Sequence, residues 1–273
     1  MLPGFLLALR EGLEIALILG IVLGALKKTE RSELGPMVWG GAITAALLSV
    51  LVAIILRSIG AALEGRAEEI FEGMMMLAAA GVLTWMIFWM QRQARYLKSE
   101  LEAGVRQATG QAGRWALFSL AFIAVIREGI ELALFLTAAA LTSSGWATYL
   151  GAALGLLAAA GLGWALFSAT LRLNLQVFFQ VTSILLLLFA AGLVAHGIHE
   201  LNEASVIPGV IEHVWDTNPY LDEASFSGSL LGTVFGYNGN PSLTEVLAYF
   251  GYLAVVLFAL WRSGQPRPAP QPA

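Results

Sequence analysis

Arg10, Glu11 and Glu14 interrupt a stretch, ALREGLEIALILG (Ala8–Gly20), that otherwise has the composition of a membrane helix. Arg127, Glu128 and Glu131 interrupt VIREGIELALFLT (Val125–Thr137) in the same way. A charged residue at the centre of a bilayer helix costs about 2.5–3.5 kcal/mol on insertion scales. Six such residues must therefore face the interior of a bundle, pair with one another, or bind something. In a helix, Glu11 and Glu14 are three apart and share a face, and Arg10 reaches Glu14 four positions on. Arg127, Glu128 and Glu131 repeat that spacing. Two arginines can neutralise two of the four carboxylates, and two remain uncompensated. Clustered carboxylate oxygens favour a hard cation. Arginines beside them limit the negative charge, so that an ion binds but can leave again. An internal salt-bridge lattice is the competing reading. Gly12 and Gly129 remove side chains beside the acids, which predicts a close approach of the two motif helices.

The elements that must position these groups are membrane spans. The chain has 273 residues, 58% hydrophobic and 12% charged, with a mean hydropathy of +0.75. A soluble domain is typically about 45–50% apolar and about 25% charged. The apolar residues form long blocks, the mark of an integral membrane protein. The net charge of −4 carries little information beside its distribution, and the absence of cysteine excludes disulfides, thiolate metal sites and iron–sulfur chemistry. No cleavable signal peptide is evident, so the first helix is expected to be retained. Seven blocks are long enough to span a bilayer: Leu6–Leu26, Met37–Leu56, Ile70–Met90, Trp115–Leu141, Tyr149–Leu171, Val177–His199 and Leu243–Trp261.

Orientation follows from the basic residues. Lys27, Lys28, Arg31, Arg92, Arg95, Lys98, Arg106, Arg114, Arg172, Arg262 and Arg267 fall on one side of seven alternating spans, with only Arg57 and Arg66 on the other. The richer side is cytoplasmic by the positive-inside rule, which puts the N-terminus outside and the C-terminus inside. The stretch Gln91–Gly113 is polar and helix-compatible, and the tail 263–273 is proline-rich and reads as disordered.

Aligning Arg10 with Arg127 matches seven residues at an offset of 117 positions, across three crossings. An odd number of crossings inverts the second copy. Inverted repeats place a substrate site near the midplane, where the halves meet. The expected architecture is an all-α integral membrane protein of seven transmembrane helices. One domain, 1–262, would hold repeat one (about 1–92), repeat two (about 114–200), an outer loop (200–241) and a seventh span (242–262).

Further candidates lie at the outer ends of spans three and six. Glu64, Glu68, Glu69 and Glu72 open span three, with Glu68 and Glu72 on one face. They read either as a site that concentrates cations or as a solvated acidic start that suits the helix dipole. AHGIHELNE places His196, His199, Glu200 and Glu203 on neighbouring faces at the end of span six. Imidazole with carboxylate suits ferrous iron or zinc, and a polar cap network is the alternative. Glu68, Glu72, His196, His199, Glu200 and Glu203 together form a candidate outer access site. His213, Asp216, Asp222 and Glu223 read as surface charge. Met74–Met76 point three ways and read as packing. Trp85, Trp89, Trp146 and Trp261 read as interfacial anchors. GAALGLLAAAGLG in span five is a close-packing surface, within one chain or between copies.

REGLE and REGIE, each inside a span of a seven-span chain with its N-terminus outside, resemble the paired Arg-Glu-x-x-Glu motifs of the oxidase-dependent iron permeases, including the bacterial ferrous-iron uptake branch. HGIHELNEA at the end of span six extends the likeness over nearly the whole chain. The resemblance implies iron uptake across the cytoplasmic membrane. It implies Glu11, Glu14, Glu128 and Glu131 as ligands, supported by Arg10 and Arg127. It also implies ferric ion as the species carried, formed by a separate extracytoplasmic oxidase or iron-binding partner. Iron, as Fe3+ or Fe2+, is then substrate; no organic cofactor, no nucleic-acid partner and no enzymatic activity are expected, and a homo-oligomer is compatible with span five. The rival readings are a carrier of another divalent cation, a proton-coupled carrier, and an intramembrane carboxylate-metal enzyme. The last would usually show paired Glu-x-x-His motifs on core helices, which this chain lacks.

Overall fold

The computed structural model describes residues 1–93, 101, 103–105, 114–142, 145–168, 174–223 and 225–263. Its long helices are α1 (Leu2–Lys28), α2 (Gly35–Ala61), α3 (Arg66–Gln93), α4 (Arg114–Leu141), α5 (Gly145–Phe167), α6 (Leu175–Glu203) and α8 (Leu243–Ser263). A short α7 (Phe226–Phe235) lies in the outer loop, where no helix is predicted from the sequence. There is no strand among the described residues. The proline-rich tail from 264, Arg172 and most of Gln91–Gly113 lie outside the described residues.

Local signals set the helix limits. Pro3 and Pro36 sit in the first turns of α1 and α2, where a missing N–H costs nothing. Lys27 and Lys28 close α1 against its negative end, and Glu68 and Glu69 open α3 at its positive end. Asn174 caps α6 by accepting from the Val177 amide at 3.2 Å. Ser225 caps α7, and Gly236 ends it with φ +69°, a left-handed position that favours glycine. Span five starts four residues earlier than the sequence reading places it, at Gly145, because nothing in GWAT stops a helix.

Five helices are long and apolar enough to cross a membrane: α2, α3, α5, α6 and α8. α1 and α4, of 27 and 28 residues, match them in length but carry three motif charges each. Leu47 and Ile54 of α2, Leu157 and Trp164 of α5, and Val255 and Phe258 of α8 all point outward and are exposed. An apolar skin on this scale needs lipid to cover it. The chain is a multi-pass membrane protein.

The main pairings are α1 with α5, α2 with α4, and α3 with α6, while α1 and α4 also pack together. The buried positions of α2 are Val38, Gly41, Ala42, Ala45 and Ser49. Those of α5 include Thr148, Gly151, Ala152, Gly155 and Ala159, each 110 positions further along. α3 and α6 cross where glycine meets glycine. A Cβ on Gly73 would stand 2.8 Å from the Gly197 carbonyl oxygen, and one on Gly197 would stand 3.0 Å from that of Gly73. Small residues are what let the backbones come that close without lipid between them. The glycines of span five are used within the chain, since Gly151, Gly155 and Gly163 face Met1, Phe5 and Ala16 of α1.

Candidate metal centre

Burial separates Arg10 and the motif glutamates from lipid and water alike, while the Arg127 side chain keeps 38% of its surface exposed. Arg10, Glu11 and Glu128 have no exposed surface, and Glu14 and Glu131 are buried. Oxygens of Glu11, Glu128 and Glu131 lie within 4.8 Å of one another, so α1 and α4 bring one carboxylate and two carboxylates to a common point. Glu14 stands outside that trio and sits 3.4 Å from the Arg10 guanidinium. Of the four glutamates expected as ligands, Glu11, Glu128 and Glu131 converge, while Glu14 and Glu11 both lie within ion-pair distance of Arg10.

Each arginine works on its own helix. Arg10 Nη1 donates to Glu11 Oε1 at 3.0 Å, and Arg127 Nη2 donates to Glu128 Oε1 at 2.7 Å. Arg127 Nε lies 3.6 Å from Glu131 Oε1. These pairs leave one buried oxygen without a hydrogen bond on every motif glutamate: Glu11 Oε2, Glu14 Oε1, Glu128 Oε2 and Glu131 Oε2. A buried polar atom left unpartnered costs about 1–3 kcal/mol, more for a charged group. Such oxygens on glutamates that converge, as Glu11, Glu128 and Glu131 do, form a donor set that a hard cation would satisfy.

Gly12 and Gly129 do not bring α1 and α4 together, as the sequence reading has it. A Cβ on Gly12 would stand 2.7 Å from Cβ of Ala159 on α5, and one on Gly129 2.6 Å from Cβ of Ser49 on α2. Helix geometry is the reason: at about 100° per residue, the glycine lies one step past the first glutamate and two steps before the second, on the far side from both. The glycines seat each motif helix against the flank opposite its carboxylates.

Three residues of α3 touch the arginines: Trp89, read from the sequence as an interfacial anchor, and Met86 and Met90, given no role there. Met86 and Met90 accept from Arg10 through their sulfurs, at 2.8 and 3.1 Å. The Trp89 ring centroid lies 4.2 Å from the Arg127 guanidinium, a cation–π contact. Nothing in an apolar helix marks such residues in advance.

At the outer ends, Glu68 and Glu203 are exposed, while Glu72, His196, His199 and Glu200 are half-buried. Among the described residues these six form no group of three donors comparable to the trio. His199 is spent on carboxylates, its Nδ1 3.0 Å from Glu245 and its Nε2 3.4 Å from Glu203. His196 donates Nδ1–H to the Gly192 carbonyl at 2.9 Å, which leaves Nε2 as a lone-pair donor. Glu245, on α8, is a partner the sequence reading misses. The signal was present: Ser242 and Glu245 have the spacing of a capping box, and Ser242 N donates to Glu245 Oε1 at 3.1 Å while Glu245 N donates to Ser242 Oγ at 3.3 Å. His213, Asp216, Asp222 and Glu223 lie on the exposed outer loop. A cavity of about 350 Å³ beneath that loop, lined by Trp215, Tyr237, Tyr249 and Phe250, is separate from the carboxylate trio.

A lipid-facing helical bundle with a cluster of ionisable groups buried between two of its helices has the make-up of a membrane transport protein. The chain belongs to the iron permease FTR1 family, whose model matches residues 1–262. It is 40% identical over 260 residues to the ferrous iron permease EfeU of Shigella sonnei, covering 94% of each chain. To the protein of the same description in Yersinia pestis it is 36% identical, over 94% of this chain and 92% of that one. A relative from Escherichia coli K12, 40% identical over 94% of each chain, has the word inactive in its description. No solved structure matches the chain.

Proposed function

We propose that this protein is an iron uptake permease, carrying the ion inward across the cytoplasmic membrane by way of the paired Arg-Glu-x-x-Glu motifs. Iron is the substrate, held by Glu11, Glu128 and Glu131 with Glu14 in reserve behind Arg10. The observation that carries this reading is the convergence of three buried carboxylates, with an unpartnered oxygen on each of the four motif glutamates. Membership of the family and the named permeases among its relatives support iron as the cargo.

The mechanism rests on a seven-span arrangement with an inverted repeat of three helices. Its support is the pairing pattern. Exchanging α1–α3 with α4–α6 turns the α1–α5 contact into α4–α2 and leaves α3–α6 as itself. The recurrence of buried positions between α2 and α5 follows the same exchange. The centre then lies where the halves meet, and rocking one half against the other would expose it to each side in turn. With the N-terminus outside, Glu72, Glu200 and the free Nε2 of His196 stand on the way in, and the exposed acids of the outer loop raise the local cation concentration. An oxidase or iron-binding protein outside the membrane would deliver the ion as Fe3+.

The decisive experiment is radioiron uptake by proteoliposomes. Glu11→Gln and Glu131→Gln keep shape while removing ligand charge, and each should lower uptake at least about tenfold with the protein still in the membrane, since each deletes a ligand from a set of three. Normal uptake by both variants would refute the ligand role.

A further inference from the structure

Arg10 is buried completely, and its guanidinium is divided between its own glutamates and two methionines of α3. Its Nη1 is shared between Glu11 and Met86, and its Nη2 hydrogen-bonds the Met90 sulfur while standing 3.4 Å from Glu14. Nε has no hydrogen-bond partner. A guanidinium has five N–H donors in a rigid fork, and a carboxylate is the acceptor that fork fits best. A thioether is a weak acceptor. The methionines therefore hold Arg10 in an orientation that its own glutamates compete for. Arg127 has an equivalent arrangement of different chemistry. Both of its hydrogen bonds end on one oxygen, Glu128 Oε1, and its flat face rests on Trp89. Met86, Trp89 and Met90 are spaced three and four apart, hence on one face of α3.

We propose that this face of α3, formed by Met86, Trp89 and Met90, is a seat for both motif arginines that draws part of each guanidinium away from the glutamates and so keeps one oxygen of each carboxylate open to the cation. The three are positioning residues, and the inference rests on the carboxylate site proposed above. Soft seats suit the task. Both thioether and ring attract a guanidinium weakly, so the arginines can shift as the ion arrives or leaves without breaking a strong bond. Without the sulfurs, two N–H groups of Arg10 would be orphaned in a dry interior. The nearest acceptors are the glutamate oxygens, and the fork would close on them in competition with the ion.

The test is iron binding by the purified full-length protein, titrated with ferrous ion under anaerobic conditions and separately with ferric citrate. Met86→Leu/Met90→Leu keeps the shape and removes the acceptors. Iron affinity should fall about three- to tenfold, within the coupling that touching residues show. Met86→Gln/Met90→Gln keeps an acceptor on a side chain of similar length and should bind nearly as the native protein does. Trp89→Leu should weaken binding, and Trp89→Phe, which keeps a ring face, should restore it. A role in packing alone gives the opposite order, with leucine tolerated and glutamine not. That order, or equal affinity in all variants, overturns the proposal. Glu11→Gln/Glu131→Gln reports on the site itself. If it binds iron normally, the carboxylate reading fails; if it loses iron while the leucine pair does not, only the arginine seat fails.

Discussion

Ser49 and Ala159 do one job on opposite flanks, each filling the space that a motif glycine leaves on the neighbouring helix. Ser49 is buried, its hydroxyl turned back to the Ala45 carbonyl at 2.9 Å, so it has no room to retreat. Gly129→Ala should cost about 1–3 kcal/mol through overpacking, seen as a lower melting temperature in detergent. Adding Ser49→Gly to the same chain should recover most of the loss. A Gly129→Ala protein as stable as the native one would show that α2 and α4 part more easily than this contact implies. At this scale the charged residues were legible in the sequence because lipid makes each of them expensive, and spacing alone paired Arg10 with Glu14 and Arg127 with Glu131. Their partners on α3 were not. Met86 and Trp89 have the same local pattern as any core-facing residues, and only the fold shows that a guanidinium lies against them.

The start of α8 is bound to α6 and to the segment before it by several side-chain hydrogen bonds. Glu245 accepts from His199 of α6, from the Ser242 amide, and from Asn238 Nδ2 at 2.8 Å. Asn202 of α6 donates to Thr244 at 2.7 Å and to Ser242 at 3.2 Å. Farther down, Tyr252 meets Thr84 of α3 at 2.6 Å. Glu245→Ala would leave His199 and Asn238 without their acceptor, at a cost of about 1–3 kcal/mol. Hydrogen exchange should quicken at the amides of residues 237–246 while α1 and α4 stay protected. Unchanged exchange there would mean that the outer loop is held by other contacts. The helices themselves were readable to within a few residues, because apolar blocks of this length have one way to satisfy their backbone in lipid. The outer loop was not. Its short α7 and its tie to α6 depend on pairs far apart in the chain, such as His199 and Glu245, whose separation no local pattern encodes.

For the whole molecule, the absence of cysteine offers a direct test of orientation. In the proposed topology Glu212 lies outside and Lys28 inside. Glu212→Cys should react with a membrane-impermeant maleimide on intact cells, and Lys28→Cys only after the membrane is opened. The reverse pattern would invert the orientation read from the lysines and arginines. That reading came from a sum over many loops, which is why charge could be interpreted at this scale without coordinates. The sequence argues for the proposed inverted repeat only where the motif marks it. Between α2 and α5 the matching residues are mostly small and apolar, and the correspondence surfaces in which positions are buried, not in their letters.

Two like halves facing opposite ways, as proposed above, would make the bundle close to a palindrome, much the same from either leaflet. The bond between His199 and Glu245 spoils that equivalence. The register of the Gly73–Gly197 crossing pairs His199 with Met75, a side chain that could grip no carboxylate. Among the described residues, one rim of the bundle is thus tied to α8 through His199. In the proposed rocking of two halves, that tie would have to open before its rim could, which would give an otherwise two-faced device a front and a back.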